Sequence, residues 1–227
     1  MKLPSPKPPG GYPDSTHAVA PVAATTERSL PRCEPICAGR VIGAVLAGGA
    51  GRRLGTRSKA AAQLGGRPLV SYPLAALGSV CRRVAVVCKS DTELPELSDA
   101  ERWDEPDEPR HPRTGIVYAL ERAEAPVLVC AADMPFVTGE ACRTLLAAAA
   151  AGGPAVVAAA EGVLQPVFAL YAPAALEPLR AAPADAALTA TVEALDPVRV
   201  GLPPAVVRSV NTPQDLADAQ AALIAEE

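Results

Sequence analysis

Glycines and basic side chains lie close together in the segment that follows the first apolar run of the chain. Residues 46–59 read Leu-Ala-Gly-Gly-Ala-Gly-Arg-Arg-Leu-Gly-Thr-Arg-Ser-Lys. Glycines directly after a strand let the backbone approach a ligand and point N–H groups toward phosphate oxygens. Arg53 and Lys59 can add charge-assisted hydrogen bonds to a triphosphate. The segment therefore predicts a loop that binds a small anionic ligand.

Two other glycine-rich loops bind nucleotides, and this segment fits neither of them. A P-loop ends in Gly-Lys followed by Ser or Thr, and no such triplet follows here. In the dinucleotide-binding fingerprint the last glycine comes three residues after the second, whereas here Gly55 comes four residues after Gly51. A plain strand-to-helix turn would need neither the arginines of this segment nor its lysine.

An acidic residue, Asp133, ends a second apolar run over residues 127–132. Pro135 prevents strand pairing beyond this point, because it lacks a backbone N–H. A carboxylate at the carboxyl end of a parallel strand can share Mg²⁺ with the phosphates of a substrate. An aspartate in this position can also cap the turn that follows. We predict a magnesium ligand at Asp133 and keep the turn cap as the alternative.

Composition limits the partners of the chain. The 227 residues carry a formal net charge of −4, so no basic surplus exists to displace the counterions of a nucleic acid. The longest uncharged stretch, residues 144–160, is interrupted by Gly152, Gly153 and Pro154, so no membrane span is expected. After the first lysines come prolines and polar residues rather than the apolar core of a signal peptide. We therefore expect a cytoplasmic protein.

The six cysteines do not form a recognisable metal site. Cys33 and Cys37 are separated by three residues, but no second Cys/His pair follows to complete a zinc site. The other four lie in or beside apolar segments, where a free cysteine is usually a small core residue. Reduced intracellular thiols are the preferred interpretation.

Apolar runs and helical patterns alternate from residue 40 onward. Strands are predicted at residues 41–46, 83–88, 126–130, 155–160 and 167–171, and helices at residues 68–77, 114–123, 139–151 and 213–225. Thr138 and Thr212 are the expected N-caps of the last two helices, with Asp215 at the third position of the final one. The alternation predicts an α/β fold of three layers, α/β/α, with a mostly parallel, doubly wound, Rossmann-like sheet and ligands at its carboxyl edge.

The first 39 residues differ in composition from the rest. They contain eight prolines and little periodicity, so they cannot bury enough apolar surface to offset their ordering entropy. We expect a Pro-rich, disordered tail at residues 1–39 and a single domain at residues 40–227.

The glycine-rich segment resembles the signature of the nucleotidyltransferases, and most closely that of the molybdenum cofactor guanylyltransferases. The matching residues are Leu46, Ala47, Gly48, Gly49, Gly51, Arg53, Gly55 and Lys59. Leu54 and Ser58 stand where that family often has Met and Asp. Asp133 resembles the magnesium-binding aspartate of the family's Cys-Asp-x-Pro segment. The resemblance covers roughly residues 41–222 and implies a fold like that of the nucleotide-diphospho-sugar transferases.

Further positions follow from the resemblance alone. Asp104, by its distance from Gly115, resembles an aspartate that contacts the nucleotide ahead of a Gly-Pro-Leu-x-Gly turn. His111 and Arg113 depart from that turn, which puts the acceptor side in doubt more than the nucleotide side. The family's asparagine after its second strand is missing here, and Lys89 stands in that region. Lys89 and His111 are possible phosphate contacts.

Two residues near the carboxyl end resemble the acceptor-binding part of the family. Gln165 belongs to a polar-Pro step, and Asn211 begins an Asn-Thr-Pro-x-Asp-Leu segment. Asn211 could support the cap of the last helix or contact the substrate, and the sequence leaves both interpretations open.

The resemblance implies Mg²⁺-dependent transfer from GTP to the phosphate of molybdopterin, with release of pyrophosphate. The residues expected to carry catalysis are Arg53, Lys59 and Asp133. Those expected to bind the nucleotide are Leu46, Ala47, Gly48, Gly49, Lys59, Asp104 and Asp133. The alternatives are a cytidylyltransferase, a sugar- or polyol-phosphate nucleotidyltransferase, or a nucleotide-binding module without catalysis. We expect a monomer or weak oligomer; the base, the acceptor and a second metal ligand are not fixed by the sequence.

Overall fold

The computed structural model describes residues 1–2, 40–49, 58–97 and 99–225. The predictions for the tail, for Cys33 and Cys37 and for Arg53 lie outside these residues. The described strands are β1 Ile42–Leu46, β2 Gln63–Leu64, β3 Arg67–Pro68, β4 Arg83–Cys88, β5 Glu101–Asp104, β6 Val127–Ala131, β7 Ala155–Ala160, β8 Val163–Tyr171 and β9 Val198–Gly201. The described α-helices are α1 Ser71–Gly78, α2 Pro112–Ala123, α3 Gly139–Ala148, α4 Leu176–Ala181, α5 Leu188–Glu193 and α6 Pro213–Ala225.

Seven of the strands form one sheet in the order β5-β4-β1-β6-β8-β7-β9. The first four of these run parallel to one another. Strand β8 runs antiparallel to both of its neighbours, while β9 runs parallel to β7. Six strands therefore share one direction, which confirms the predicted mostly parallel sheet.

The apolar core lies on both faces of this sheet. Neighbouring residues of a strand point to opposite faces, so Ala44 belongs to one buried cluster and Val45 to the other. The Val45 cluster includes side chains of α1 and α3, and the Ala44 cluster includes side chains of α2, α4 and α5. These are the three layers, α/β/α, that the sequence predicts.

A glycine in the central strand sets how closely one helix approaches the sheet. A Cβ atom at Gly43 would lie 3.1 Å from Cβ of Leu77, so a larger residue would push α1 away from β1. Leu77 is fully buried in this contact. This close packing holds β1 against α1 and so fixes the position from which the next segment of the chain leaves β1.

Strands β5 and β9 are absent from the sequence prediction. In β5 only Trp103 is buried, and in β9 only Val200. Both strands lie at the ends of the sheet order, where one buried side chain is enough to hold a strand and no apolar run is needed. The helix predicted from residue 68 begins later, at Ser71, because Pro68 pairs with Gln63 in the β2–β3 hairpin.

The predicted helix caps are confirmed. The Thr138 hydroxyl accepts a hydrogen bond from the backbone N–H of Ala141 at 3.2 Å. At the start of α6, the Thr212 hydroxyl accepts from the Asp215 N–H at 3.1 Å, and the Asp215 carboxylate accepts from the Thr212 N–H at 2.8 Å. This reciprocal pair is a capping box. No described helix is both long enough and apolar enough to cross a lipid bilayer.

Candidate active site

A cleft of about 280 Å³ opens at the carboxyl edge of the parallel strands. Each of the strands β1, β4, β5 and β6 contributes the residues that directly follow it: residues 47–49, Lys89, Glu105 and residues 132–133. The first turn of α2 adds His111, Pro112 and Gly115. Because parallel strands end at the same edge, residues that are far apart in the sequence meet here.

Lys59 and Asp133 meet at this cleft. The Lys59 Nζ donates to Oδ2 of Asp133 at 2.5 Å and to Oδ1 of Asn211 at 2.6 Å. The side chains of Lys59 and Asp133 are 18% and 17% exposed. The structure thus brings together the predicted phosphate-binding cation, the predicted metal-binding acid and Asn211.

Backbone hydrogen bonds hold these residues in place. The Lys59 N–H donates to the carbonyl of Gly49 at 3.4 Å, which joins the two described ends of the glycine-rich segment. The Ala132 N–H donates to the carbonyl of Leu46 at 2.9 Å, so the pairing of β1 with β6 continues to the residue before Asp133. The Asp133 carbonyl in turn accepts from the Val210 N–H at 2.8 Å. That bond sets Asn211 beside the acid.

Asn211 takes part in both of the interactions that the sequence left open. Its backbone N–H donates to the Asp215 carboxylate at 2.9 Å and so supports the cap of α6. Its side-chain oxygen accepts from Lys59. The backbone donors of Asn211 and Thr212 lower the pKa of Asp215. The α6 cap and the cleft are therefore joined through a single residue.

A buried ion pair lies under the cleft. Lys89 and Glu105 are 2% and 7% exposed, and the Lys89 Nζ lies 3.4 Å from Oε1 of Glu105. The same Nζ also donates to the carbonyls of Pro106 and Pro109. Three acceptors engage this buried ammonium group, and Lys89 thereby holds the loop between β5 and α2. Lys89 also lines the cleft, and its phosphate contact stays a prediction.

Asp104, the predicted nucleotide contact, is not among the residues that line the cleft. Its carboxylate accepts from Nε of Arg102 at 2.8 Å, and its side chain is 54% exposed. Side chains alternate along β5, so Trp103 and Glu105 point inward and Asp104 points outward. Glu105, which the sequence did not single out as a site residue, lies in the cleft wall. The sequence signal that could have found Glu105 was Lys89, which directly follows the apolar strand β4. A lysine buried there requires an acidic partner.

His111 lies at the cleft as the N-cap of α2. Its Nδ1 accepts from the Arg113 N–H at 3.2 Å, which leaves the proton on Nε2. Burial and the nearby Arg113 lower the pKa of His111. The imidazole is therefore a neutral N–H donor at the cleft at neutral pH. Arg113 itself is buried and donates to the carbonyl of Pro183 at 2.8 Å, away from the cleft.

Gln165, a predicted acceptor contact, lies on β8 opposite Ala158, next to a shift in the strand register. It does not line the cleft, whereas Val167 on the same strand does. The structure therefore brings Asn211 into contact with Lys59 at the edge of the cleft, although Asn211 is not itself a lining residue, and leaves Gln165 outside.

The oxygen donors at the cleft are compatible with a magnesium ion that is shared with a substrate. Within the described part of the chain, no group of three or more His, Cys, Asp and Glu side chains is arranged to enclose a metal ion. Asp133 offers a partly exposed carboxylate, and the Asn211 side-chain oxygen accepts from the same Lys59 ammonium group. Mg²⁺ commonly uses one or two carboxylates together with water and substrate phosphates. The residues present fit that mode of binding.

Known proteins with similar sequences share most of this chain. The family model for the MobA-like NTP transferase domain matches residues 43–198. A molybdenum cofactor guanylyltransferase of Cereibacter sphaeroides is 34% identical over 197 residues, which are 81% of this chain and 97% of the relative.

Solved structures share the fold. Molybdopterin-guanine dinucleotide biosynthesis protein A from Archaeoglobus fulgidus matches with a TM-score of 0.64 and 25% identity, over 81% of this chain and 99% of that one. The 2-C-methyl-D-erythritol 4-phosphate cytidylyltransferase of Thermus thermophilus matches with a TM-score of 0.61 and 23% identity, over 80% and 98% of the two chains. The second match concerns the fold alone.

Proposed function

Because the chain belongs to the family of MobA-like NTP transferase domains, which are nucleotidyltransferases, we propose that it transfers GMP from GTP to the phosphate of molybdopterin. Pyrophosphate is the second product, and Mg²⁺ is the cofactor. The observation that carries this proposal is the contact of Lys59 with Asp133 in a cleft that Gly48 and Gly49 line. The name of the 34% identical relative supports the choice of nucleotide and acceptor.

The chemistry needs no general base from the protein. The terminal phosphate of the acceptor is already ionised, so one of its oxygens can attack the α-phosphorus of GTP directly. A new P–O bond forms as the bond from the α-phosphorus to the bridging α–β oxygen breaks, and the electron pair leaves with pyrophosphate. Catalysis then consists of positioning and charge stabilisation. A role for His111 as a base is not required.

Among the cations that line the cleft, Lys59 is the one we assign to charge stabilisation. Its ammonium group can donate to the β- and γ-phosphate oxygens, where negative charge develops as pyrophosphate leaves. Its present partners, Asp133 and Asn211, keep it at the edge of the cleft. Arg53 is proposed to assist it and lies outside the described residues.

The remaining cleft residues bind and orient the nucleotide. The backbone at residues 46–49 has no bulky side chain at Gly48 and Gly49, so a nucleotide can approach the main chain closely. Asp133 would hold Mg²⁺, which would neutralise charge on the phosphate oxygens when bound. Asn211 and Ser209 lie beside Asp133 and are proposed to face the acceptor.

A transfer assay tests the proposal. The protein is incubated with Mg²⁺, molybdopterin and, in separate reactions, GTP, CTP, ATP or UTP, and the products are followed by mass spectrometry and pyrophosphate release. We expect the guanine dinucleotide and stoichiometric pyrophosphate with GTP. A cytosine dinucleotide in place of the guanine product would identify the enzyme as a cytidylyltransferase. If none of the four nucleotides gave a product, the proposed acceptor would be contradicted.

A further inference from the structure

The carboxylate of Glu105 lies in the cleft wall between two glycines. A Cβ atom at Gly48 would lie 2.9 Å from Oε1 of Glu105, and a Cβ atom at Gly115 would lie 3.2 Å from Oε2. A side chain at Gly48 would therefore collide with the carboxylate, and one at Gly115 would press closely against it. All three residues line the cleft.

The two oxygens of this carboxylate have unequal surroundings. Oε1 faces Lys89 at 3.4 Å, but no described residue donates a hydrogen bond to Oε2. Lys89 also donates to the carbonyls of Pro106 and Pro109. Burial raises the pKa of Glu105, and the nearby Lys89 opposes this effect. A buried acceptor without a donor is unfavourable, so this position in the cleft wall suits a ligand that brings N–H groups.

We propose that Glu105 selects the nucleobase by accepting hydrogen bonds from the N1–H and the 2-amino group of guanine. This inference rests on the proposed function and assigns the residue that discriminates between its nucleotides. A carboxylate offers two oxygens with several acceptor positions, so Oε1 can keep Lys89 while both oxygens take part.

The other common bases do not present the same edge. Guanine carries two adjacent donors, N1–H and the 2-amino group. Adenine and cytosine each place an acceptor nitrogen beside their amino group, and uracil flanks its single N–H with two carbonyls. An acceptor facing the buried carboxylate would be repelled and left unpaired. A site built around a hydrogen-bonding group rejects analogues that lack the partner.

Glu105→Gln tests this assignment, because it replaces one acceptor with a donor at nearly constant shape. The amide complements the N1–H and the 2-oxo group of xanthine. The affinities of GTP, ITP and XTP are measured by titration calorimetry in the presence of Mg²⁺. ITP lacks the 2-amino group, so the unaltered protein should bind it about tenfold to a hundredfold more weakly than GTP. In the Gln variant we expect GTP to lose affinity by a similar factor and XTP to gain affinity.

Glu101→Gln is the matched control. Glu101 begins β5, the strand that Glu105 directly follows, and its carboxylate pairs with Arg83, away from the cleft. This variant should keep the GTP, ITP and XTP affinities of the unaltered protein.

Two results would overturn the inference. One is a Glu105→Gln variant that loses affinity for GTP and for XTP by the same factor. That result is expected if Glu105 only supports the loop. The other is equal affinity of the unaltered protein for GTP and ITP, a comparison that does not depend on the variant folding. If the protein uses GTP in the transfer assay and either result is found, only the role of Glu105 is rejected. If the protein prefers CTP in the transfer assay, the proposed function itself is rejected.

Discussion

The Lys59 ammonium group lies 2.5 Å from the Asp133 carboxylate, although 74 positions separate the two residues in the chain. Lys59 ends the glycine-rich segment after β1, and Asp133 follows β6, the parallel strand next to β1. Both side chains are largely shielded from solvent, so charges in this cleft interact more strongly than they would on an open surface. The proposed phosphate-binding cation and the proposed metal-binding acid are therefore in contact with each other.

Lys59→Ala should lower kcat/KM for nucleotidyl transfer by about 10²–10³-fold, by analogy with the loss of an oxyanion donor. The reason is that the phosphates lose the proposed donor that lies beside Asp133. Steady-state pyrophosphate release measures the effect. Arg83→Ala is the control, because Arg83 forms an exposed ion pair with Glu101 at the start of β4. Near-normal turnover by a folded Lys59→Ala protein would remove Lys59 from the catalytic account.

Lys89→Met should lower the free energy of unfolding by about 3–5 kcal/mol, because it leaves the Glu105 carboxylate buried without its cation. Urea unfolding followed by circular dichroism measures this loss. Lys89→Met combined with Glu105→Gln removes the unpaired charge and should recover part of the stability. A loss below about 1 kcal/mol in the single variant, the size expected for an exposed pair, would show that the ion pair is not a structural element of the loop.

Features that depend on neighbouring residues were predictable from the sequence. The apolar residues of β1 and β6, the glycines after β1 and the caps at Thr138 and Thr212 all carry their signal within a few positions. The position of Asp133 at the active edge follows from the end of an apolar run. These features fix the sheet, its direction and the location of the cleft.

Features that depend on pairing between distant segments were not predictable. Strand β5 has a single buried side chain, Trp103, so it gives no apolar pattern. Without β5 in place, the alternation that turns Glu105 inward and Asp104 outward could not be seen. The pairing of Lys89 with Glu105 likewise requires β4 and β5 to be adjacent. The resemblance to the family therefore pointed to Asp104, one residue away from the side chain that lines the cleft.

Gly48→Ala and Gly49→Ala should differ in stability. A Cβ atom at position 48 would lie 2.9 Å from the buried Glu105 carboxylate, whereas at position 49 the nearest atom is Cδ of Lys59 at 3.9 Å. We expect Gly48→Ala to lower the free energy of unfolding by about 1–3 kcal/mol through overpacking. Gly49→Ala should change it by less than about 0.5 kcal/mol. Equal stabilities of the two variants in urea unfolding would contradict the close approach of Gly48 to Glu105.

The titration of His111 should make stability depend on pH. Its pKa in the folded protein lies below the ordinary value of 6.5, so the unfolded chain binds more protons just below that pH. The stability that the neutral imidazole contributes is complete above pH 6.5. It is lost as the pH falls through 6.5 toward the lowered pKa.

His111→Asn removes this titration and keeps a good N-cap residue. The urea midpoint is measured for both proteins as the pH is lowered from about 7.5 to about 5.5. Over this range the midpoint of the unaltered protein should decrease relative to that of the variant. A relative midpoint that stays constant or rises over this range would contradict the neutral, capping imidazole.

The central claim is that Asp133 holds the metal ion that accompanies the nucleotide in the cleft. Titration calorimetry of GTP, with and without Mg²⁺, on the unaltered protein and on Asp133→Asn tests it most directly. We predict that Mg²⁺ strengthens GTP binding to the unaltered protein by about 5–150-fold, the usual range of coupling between two ligands, and has no effect on the variant. An Asp133→Asn protein whose GTP affinity still responds to Mg²⁺ as strongly as that of the unaltered protein would contradict the account.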